Sequence, residues 1–288
     1  MRAYKHNDAP IKHQRALPPE VFRQILATAR SPRAMARAEL ICASLFSGNR
    51  SCEYSLVPRR EQKTRPLRPC DIEFRVGPKI IPHDDMSIFY AETVILKFGP
   101  QKSGTYNDEI PLDNNNDVEL NPITLWANII TRLRSYPKYN AKWPVYTCYD
   151  KLSRRFEAIK SREIELDIKA AVAAIGKDTL GFGPEEVGTH SVRSSLAMQL
   201  YLQQVPPYTI MLIGRWRSDA FLSYIEKQCR EFTKGMSTIM LKLNSFYHLP
   251  RQPRAPQENP TSHPSCTHRQ AHFVHFGRLQ ALNSHRRN

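Results

Sequence analysis

The chain has 288 residues, and its 42 lysines and arginines against 27 acidic residues give a formal net charge of +15. This length allows one large domain or two small ones and excludes a large multidomain assembly. Hydrophobic residues make up 41% of the chain, enough for a buried core, and a basic excess of this size is typical of proteins that bind a polyanion. We therefore expect a folded protein whose partner is nucleic acid, with an anionic membrane as the second candidate.

The sequence carries no recognisable signal for secretion or membrane insertion. Its six cysteines form no CxxC pair and no regular spacing, which argues against a disulfide framework or a zinc ribbon. The N-terminus has no apolar signal segment, and the longest apolar runs are far too short to span a membrane. We expect an intracellular protein without a membrane partner, located in the nucleus if its source is eukaryotic.

Composition divides the chain into three parts. Residues 1–15 are polar and basic, and residues 249–288 are rich in proline, polar and charged residues without an apolar period. Segments of this kind cannot bury a core. We expect a disordered basic leader over 1–15, one folded domain over 16–248 and a disordered basic tail over 249–288.

Two helices are predicted at the start of the folded domain. Pro18 and Pro19 suit the beginning of a helix, and the apolar residues that follow share one face. The second helix is predicted to have Ser31 as its N-cap and Pro32 as its first residue, and to end at Gly48.

A small antiparallel sheet is predicted next. Residues 71–76 alternate in polarity, and residues 87–98 are rich in β-branched and aromatic side chains. Residues 101–104 have turn chemistry, and residues 109–111 are predicted as a short returning strand.

Helices are predicted to dominate from residue 121 to residue 245. Apolar residues at helical spacing, with N-caps and terminal glycines, place them at 121–137, 162–176, 190–204, 206–214 and 218–225. A further amphipathic helix is marked by Met236, Ile239, Met240 and Leu243. The predicted fold class is α+β, mainly α, with a small antiparallel sheet in the N-terminal half.

The residue types needed to bind and cleave a phosphodiester are concentrated late in the folded domain. His190 and Arg193 are three residues apart, so one helical turn places an imidazole and a guanidinium on the same face. Trp216 and Tyr224 follow after a short predicted helix. A guanidinium can donate two hydrogen bonds to the oxygens of one phosphate, and a phenol oxygen can attack phosphorus.

These residues resemble the catalytic core of tyrosine recombinases and integrases. HxxR is followed by a tryptophan and then a tyrosine, and an upstream R-x-x-E pattern is formed by Arg50 and Glu53. The segments NRSCEY, GTHSVRSSLAMQLYL and YTIMLIGRWRSDAFLSYI are especially similar to recombinase-like proteins of eukaryotic mobile elements of the Crypton and DIRS type. The resemblance covers about residues 16–245 and implies the fold of that catalytic core.

The resemblance also implies a mechanism and a set of site residues. These are Arg50, Lys102, His190, Arg193, Trp216 and Tyr224, with Glu53 supporting the arginines. The two arginines would clamp the phosphate, Tyr224 would attack it, and Lys102 would protonate the leaving 5′ oxygen. His190 would assist proton transfer at the tyrosine, and Trp216 would pack beside the phosphate. Neither metal nor cofactor is required, and double-stranded DNA is the expected partner.

Other residues compete for two of these roles. Lys97 is the alternative to Lys102, although its position inside a predicted strand favours Lys102 in the turn. Tyr201, Tyr208 and Tyr247 are rival phenols, and the first two lie among apolar residues, which favours packing.

The sequence departs from the family pattern in two places. Tyr224 follows Trp216 by eight residues, where phage and bacterial members commonly have nine. Members also usually carry a helical DNA-clamping domain ahead of the core, and only a short segment precedes the first predicted helix here. We expect this clamp to be absent and the affinity for DNA to be reduced.

Two C-terminal features concern oligomers and metals. The amphipathic helix over 236–243 would dock on its own domain or on a neighbouring protomer, and the second case implies a homo-oligomer, a synaptic tetramer on DNA. In the tail, Cys266, His268, His272 and His275 have metal-ligand side chains. Without a fold to orient them, contact with the DNA backbone is the favoured role.

The sequence supports three alternative hypotheses for the function of the protein. The first is a DNA breaking and rejoining enzyme of a mobile element, working through a 3′-phosphotyrosine. The second is a truncated or domesticated DNA-binding protein without strand transfer. The third, more remote, is a type IB topoisomerase-like enzyme that relaxes supercoils without a specific site.

Overall fold

The structure is a computed structural model that describes residues 14–58, 64–99 and 108–216. Within these ranges the α-helices are α1 (Pro19–Thr28), α2 (Pro32–Ser47), α3 (Ser51–Tyr54), α4 (Pro122–Arg134), α5 (Ser161–Ile175), α6 (Lys177–Leu180), α7 (Thr189–Leu202) and α8 (Pro207–Gly214). Short 3-10 helices occur at Pro69–Asp71, Met86–Tyr90 and Pro184–Glu186. In the part of the chain described, no helix is long and apolar enough to cross a membrane.

Two antiparallel sheets accompany the helices. The first contains β1 (Ile72–Val76), β2 (Lys79–Ile81), β3 (Thr93–Phe98) and β4 (Asp108–Asp113) in the order β2-β1-β3-β4. The second is a hairpin of β5 (Thr147–Asp150) and β6 (Arg155–Ala158). A mainly helical fold with a small antiparallel sheet in the N-terminal half confirms the predicted class.

The structure differs from the local predictions in two places. Residues 87–90 are not strand, because the Asp85 carboxylate accepts a hydrogen bond from the Ser87 N–H at 2.8 Å and starts a 3-10 helix there. Helices dominate the described residues after 121, as predicted, but the β5–β6 hairpin between α4 and α5 was not predicted. Each strand of that hairpin has four residues, too few for a clear alternating pattern.

Helix α2 lies at the centre of the fold. It packs against α1, α4, α5 and α7, so most of its surface is buried. The Ser31 hydroxyl caps its first turn by accepting a hydrogen bond from the Ala34 N–H at 3.1 Å. Its last turn ends at Gly48, whose φ of 55° lies in the left-handed region that glycine adopts without strain. This helix end is where the candidate site is built.

One buried carboxyl group between α2 and α4 gives a pH-dependent prediction. Glu39 is 8% exposed, and burial raises its pKa from 4.5 to about 7, although Arg132 opposes the shift from 3.9 Å away. A raised folded-state pKa means that stability falls as the pH rises from 4.5 to 7, by at most ~3 kcal/mol. We expect Glu39→Gln to stabilise the protein at pH 8 and to leave it unchanged at pH 4.5. Urea unfolding at both pH values measures this, and an equal effect at both contradicts it.

Candidate active site

The candidate site lies where the ends of α2 and α8 meet the first turns of α7. Arg193 on α7 is 5% exposed, and its guanidinium joins the other two segments. Nη1 donates to the carbonyl of Gly48 and Nη2 to the carbonyl of Gly214, both at 2.5 Å. One side chain therefore connects three segments that are far apart in the sequence.

Trp216 lies directly over this guanidinium. The Arg193 Cζ atom is 4.4 Å from the centre of the indole, which is the distance of a cation–π contact. The ring folds back over Gly214, where a β-carbon would overlap it. Glycine at this position thus allows Trp216 to cover Arg193.

Glu53 and Arg50 form the second part of the site. The Glu53 side chain is fully buried, and its carboxylate accepts hydrogen bonds from the Arg50 backbone N–H at 2.8 Å and from Arg50 Nη1 at 3.3 Å. The Arg50 side chain is 23% exposed. Glu53 therefore holds Arg50 at the start of α3 while part of its guanidinium faces solvent.

Arg215 is a site residue that the sequence interpretation missed. Its Nη1 and Nη2 both donate to the Glu53 carboxylate at 2.9 Å, and its Cζ lies 3.5 Å from the centre of the Phe98 ring. The residue is 6% exposed and has a φ of 56°, which turns the chain at the end of α8. Burial alone would raise the pKa of Glu53, but Arg215, assisted by Arg50, lowers it below its usual range, so the carboxylate is charged.

His190 lies at the exposed rim of the site, in the first turn of α7. Its backbone N–H donates to Gln14 Oε1 at 2.8 Å. Although the residue as a whole is exposed, partial desolvation of its ring, together with the nearby Arg193 charge, lowers the pKa of His190. A lowered pKa favours the neutral imidazole, which can accept a proton.

The structure brings together Arg50, Glu53, His190, Arg193 and Trp216. Several predicted features lie outside the described residues: Lys102, Tyr224, Tyr247, the helices over 218–225 and 236–243, the tail over 249–288 and residues 1–13 of the leader. Within the described ranges, no group of three or more histidine, cysteine or acidic side chains is arranged to hold a metal ion.

The structure also describes the residues that competed for these roles. Lys97 lies in β3, where its Nζ donates to Glu73 Oε2 at 2.8 Å. The interpretation of Tyr208 as a packing residue is wrong, because it is 69% exposed, whereas Tyr201 is 39% exposed.

Comparison with known proteins gives matches among solved structures alone. No protein-family model and no curated protein matches the chain. A post-cleavage complex of XerH site-specific recombinase with palindromic difH substrate is 15% identical, with a TM-score of 0.49 over 79% of this chain and 54% of that chain. The pre-cleavage complex of XerH with difH substrate is 16% identical, with a TM-score of 0.46 over 73% of this chain and 51% of that chain. A complex of Tn1549 transposon integrase with transposon right end DNA is 11% identical, with a TM-score of 0.42 over 81% of this chain and 68% of that chain.

These solved structures are two complexes of one recombinase and a complex of one integrase, and every TM-score is below 0.5. The chain spans about half the length of the XerH chains that it matches.

Proposed function

We propose that the chain is the catalytic core of a tyrosine recombinase, which cleaves and rejoins double-stranded DNA through a transient bond between Tyr224 and a 3′ phosphate. The observation that carries this proposal is the pair of hydrogen bonds from Arg193 to the carbonyls of Gly48 and Gly214. They span 145 and 21 residues of sequence and place the segments of Arg50, His190 and Trp216 side by side.

Electrostatic stabilisation is the main contribution of the arginines in this proposal. Displacement at phosphorus spreads negative charge over the non-bridging oxygens, and fixed cationic donors stabilise that charge without a metal ion or ATP. Arg50 is fixed by Glu53, and Arg193 is fixed by two backbone carbonyls. Because the partly exposed Arg50 guanidinium is already oriented by Glu53, little reorganisation of this side chain is needed when a phosphate binds.

The proton transfers are assigned to His190 and Lys102. The Tyr224 oxygen forms a bond to phosphorus while the bond from phosphorus to the 5′ oxygen breaks. Neutral His190 accepts the phenol proton, and Lys102 donates a proton to the 5′ oxygen. Rejoining is the reverse reaction, driven by the phosphotyrosine bond that retains the energy of the phosphodiester.

The setting of this activity is part of the proposal. The similarity of three segments to Crypton and DIRS proteins supports an origin in a mobile element and nuclear action. The net charge of +15 supports a DNA partner, and the segment over 236–243, which the sequence predicts to be an amphipathic helix, is proposed to link protomers in a tetramer.

Covalent trapping tests the proposed chemistry. The protein is incubated with a labelled pool of nicked duplexes of randomised sequence, in which cleavage near the nick releases a short fragment and prevents rejoining. We expect a protein–DNA adduct on a denaturing gel from the wild-type chain and none from Tyr224→Phe, because the variant lacks the attacking oxygen. Tyr208→Phe is the matched control, since this exposed phenol has no role in the proposal and its adduct should equal that of the wild type.

A second candidate function is DNA binding without strand transfer. It is favoured by the burial of Arg193, whose terminal nitrogens both bind backbone carbonyls, an arrangement that also suits a structural role. Duplex binding without an adduct from any member of the pool supports this candidate. An adduct that persists in Tyr224→Phe contradicts the assignment of the nucleophile.

A further inference from the structure

Five aromatic rings form a continuous row outside the candidate active site. In spatial order they are Tyr139, Trp143, Phe156, Tyr149 and Tyr136, and we call them the aromatic ladder. The four successive centre-to-centre distances are 6.2, 4.7, 4.9 and 6.0 Å. Each ring is therefore within contact distance of the next.

The ladder is built by the β5–β6 hairpin and by the segment that follows α4. Tyr149 and Phe156 lie directly opposite each other across the hairpin, and the remaining three rings come from residues 136–143. Arg134 and Arg132, in the last turn of α4, lie over the two end rings at 5.5 and 5.9 Å from the ring centres.

The ladder is partly accessible to solvent. Phe156 is 43% exposed, and the other four residues are partly buried, with Tyr136 and Tyr139 also packed against the core. The core aromatic residues Phe22, Phe74 and Trp126, in contrast, are completely buried. The ladder thus offers ring surface to a partner instead of closing on itself.

Positive charge surrounds the ladder. Lys138, Lys142, Lys151, Arg154 and Arg155 are exposed and make no side-chain ion pair or hydrogen bond with any other residue that the structure describes. Two acidic residues lie on the same hairpin: Asp150 accepts hydrogen bonds from the hairpin turn, and Glu157 is paired with Arg33 at 3.0 Å.

The arginines of α2 show the opposite behaviour. Arg33 binds both oxygens of Glu163, and Arg37 binds both oxygens of Asp167. The five cations around the ladder, by contrast, form no ion pair with any residue that the structure describes. This charge is complementary to a polyanion.

From this combination we infer that the aromatic ladder binds a single-stranded segment of DNA. Exposed bases stack on aromatic rings irrespective of sequence, while cations beside the rings contact the phosphates. A fully paired duplex keeps its bases stacked inside and presents only phosphates to such a surface. The surface is separate from the segments joined by Arg193, so its binding does not depend on DNA cleavage.

Fluorescence anisotropy with the full chain tests this inference. The probe is a labelled oligothymidine of about 20 nucleotides, long enough to cover one binding site. We expect Phe156→Leu to weaken binding by between about 5-fold and 100-fold, because leucine keeps the apolar contact but loses the stacking face. Phe156→Trp should bind as well as the wild type. A labelled duplex should bind equally to all three proteins.

A pair of charge variants gives an independent test that does not alter the rings. Lys151→Glu/Arg154→Glu changes two exposed residues of the hairpin turn, and Lys79→Glu/Lys177→Glu makes the same change of net charge elsewhere. We expect only the first pair to weaken oligothymidine binding by more than about tenfold. Equal affinities in the two pairs, or unchanged affinity in Phe156→Leu, overturns the inference. Loss of the Tyr224 adduct leaves it unaffected, so the two proposals fail separately.

Discussion

Replacing Glu53 by glutamine is expected to destabilise the protein by about 3–5 kcal/mol, because the buried Arg215 guanidinium then has no counter-charge. The Arg215 and Glu53 side chains are 2% and 1% exposed, so water cannot replace the lost partner. Both oxygens of the carboxylate are bonded to Arg215, and both would be affected by the substitution. The effect should appear in equilibrium urea unfolding as a lower midpoint with an unchanged slope.

Two further variants distinguish the buried Glu53–Arg215 ion pair from an ion pair on the surface by their effects on stability. Glu165→Gln removes a carboxylate that binds Lys169 and Arg162 on the outside of α5, and we expect a loss below about 1 kcal/mol. Glu53→Gln/Arg215→Met removes both buried charges and should be more stable than Glu53→Gln alone. If Glu53→Gln lowers the free energy of unfolding no more than Glu165→Gln does, the role of Glu53 as a buried counter-charge is contradicted.

The same pair has a defined pH dependence. The folded-state pKa of Glu53 lies below its ordinary value of 4.5, so the stability contributed by the charged carboxylate is fully present above pH 4.5. It is lost as the pH falls through the folded-state pKa. The difference between wild type and Glu53→Gln should therefore be constant at neutral pH and shrink in acid.

Local sequence signals were sufficient for most of the helices. The cap residues Ser31 and Asn121 accept hydrogen bonds from the first-turn N–H groups of α2 and α4, and proline follows each of them. The β5–β6 hairpin was missed because its four-residue strands are defined by their cross-strand partners and by contacts with the segment after α4. Such contacts are tertiary and leave little trace in a short window of sequence.

For the site, the sequence predicted which segments meet but not how they are joined. HxxR and the upstream R-x-x-E pattern indicated Arg193 and Glu53. The direction of Arg215 depends on its left-handed backbone at the end of α8, which sends its side chain towards Glu53. A non-glycine residue in this conformation is not recognisable from residue types, so the buried ion pair could be found only in three dimensions.

Removal of the Arg193 side chain is expected to cost about 3 kcal/mol of stability, because Arg193→Ala leaves the buried carbonyls of Gly48 and Gly214 without donors. Arg193→Lys should recover only part of this loss, since one ammonium group lacks the fork that reaches both oxygens. Arg50→Ala should cost about 1 kcal/mol, because the Arg50 side chain is partly exposed and Glu53 retains Arg215. Urea unfolding of the three variants gives these values.

Duplex binding by the same variants then separates the two functions of Arg193. Measured at a temperature where all the variants are folded, affinity for double-stranded DNA should fall in Arg50→Ala and in Arg193→Lys if both arginines hold the phosphate. In the recombinase proposal, Arg193→Lys also loses the covalent adduct, because a point charge does not reproduce the paired donors. If Arg193→Lys loses stability but keeps full duplex affinity, Arg193 is a structural connection between α2, α7 and α8, and binding without strand transfer becomes the favoured function.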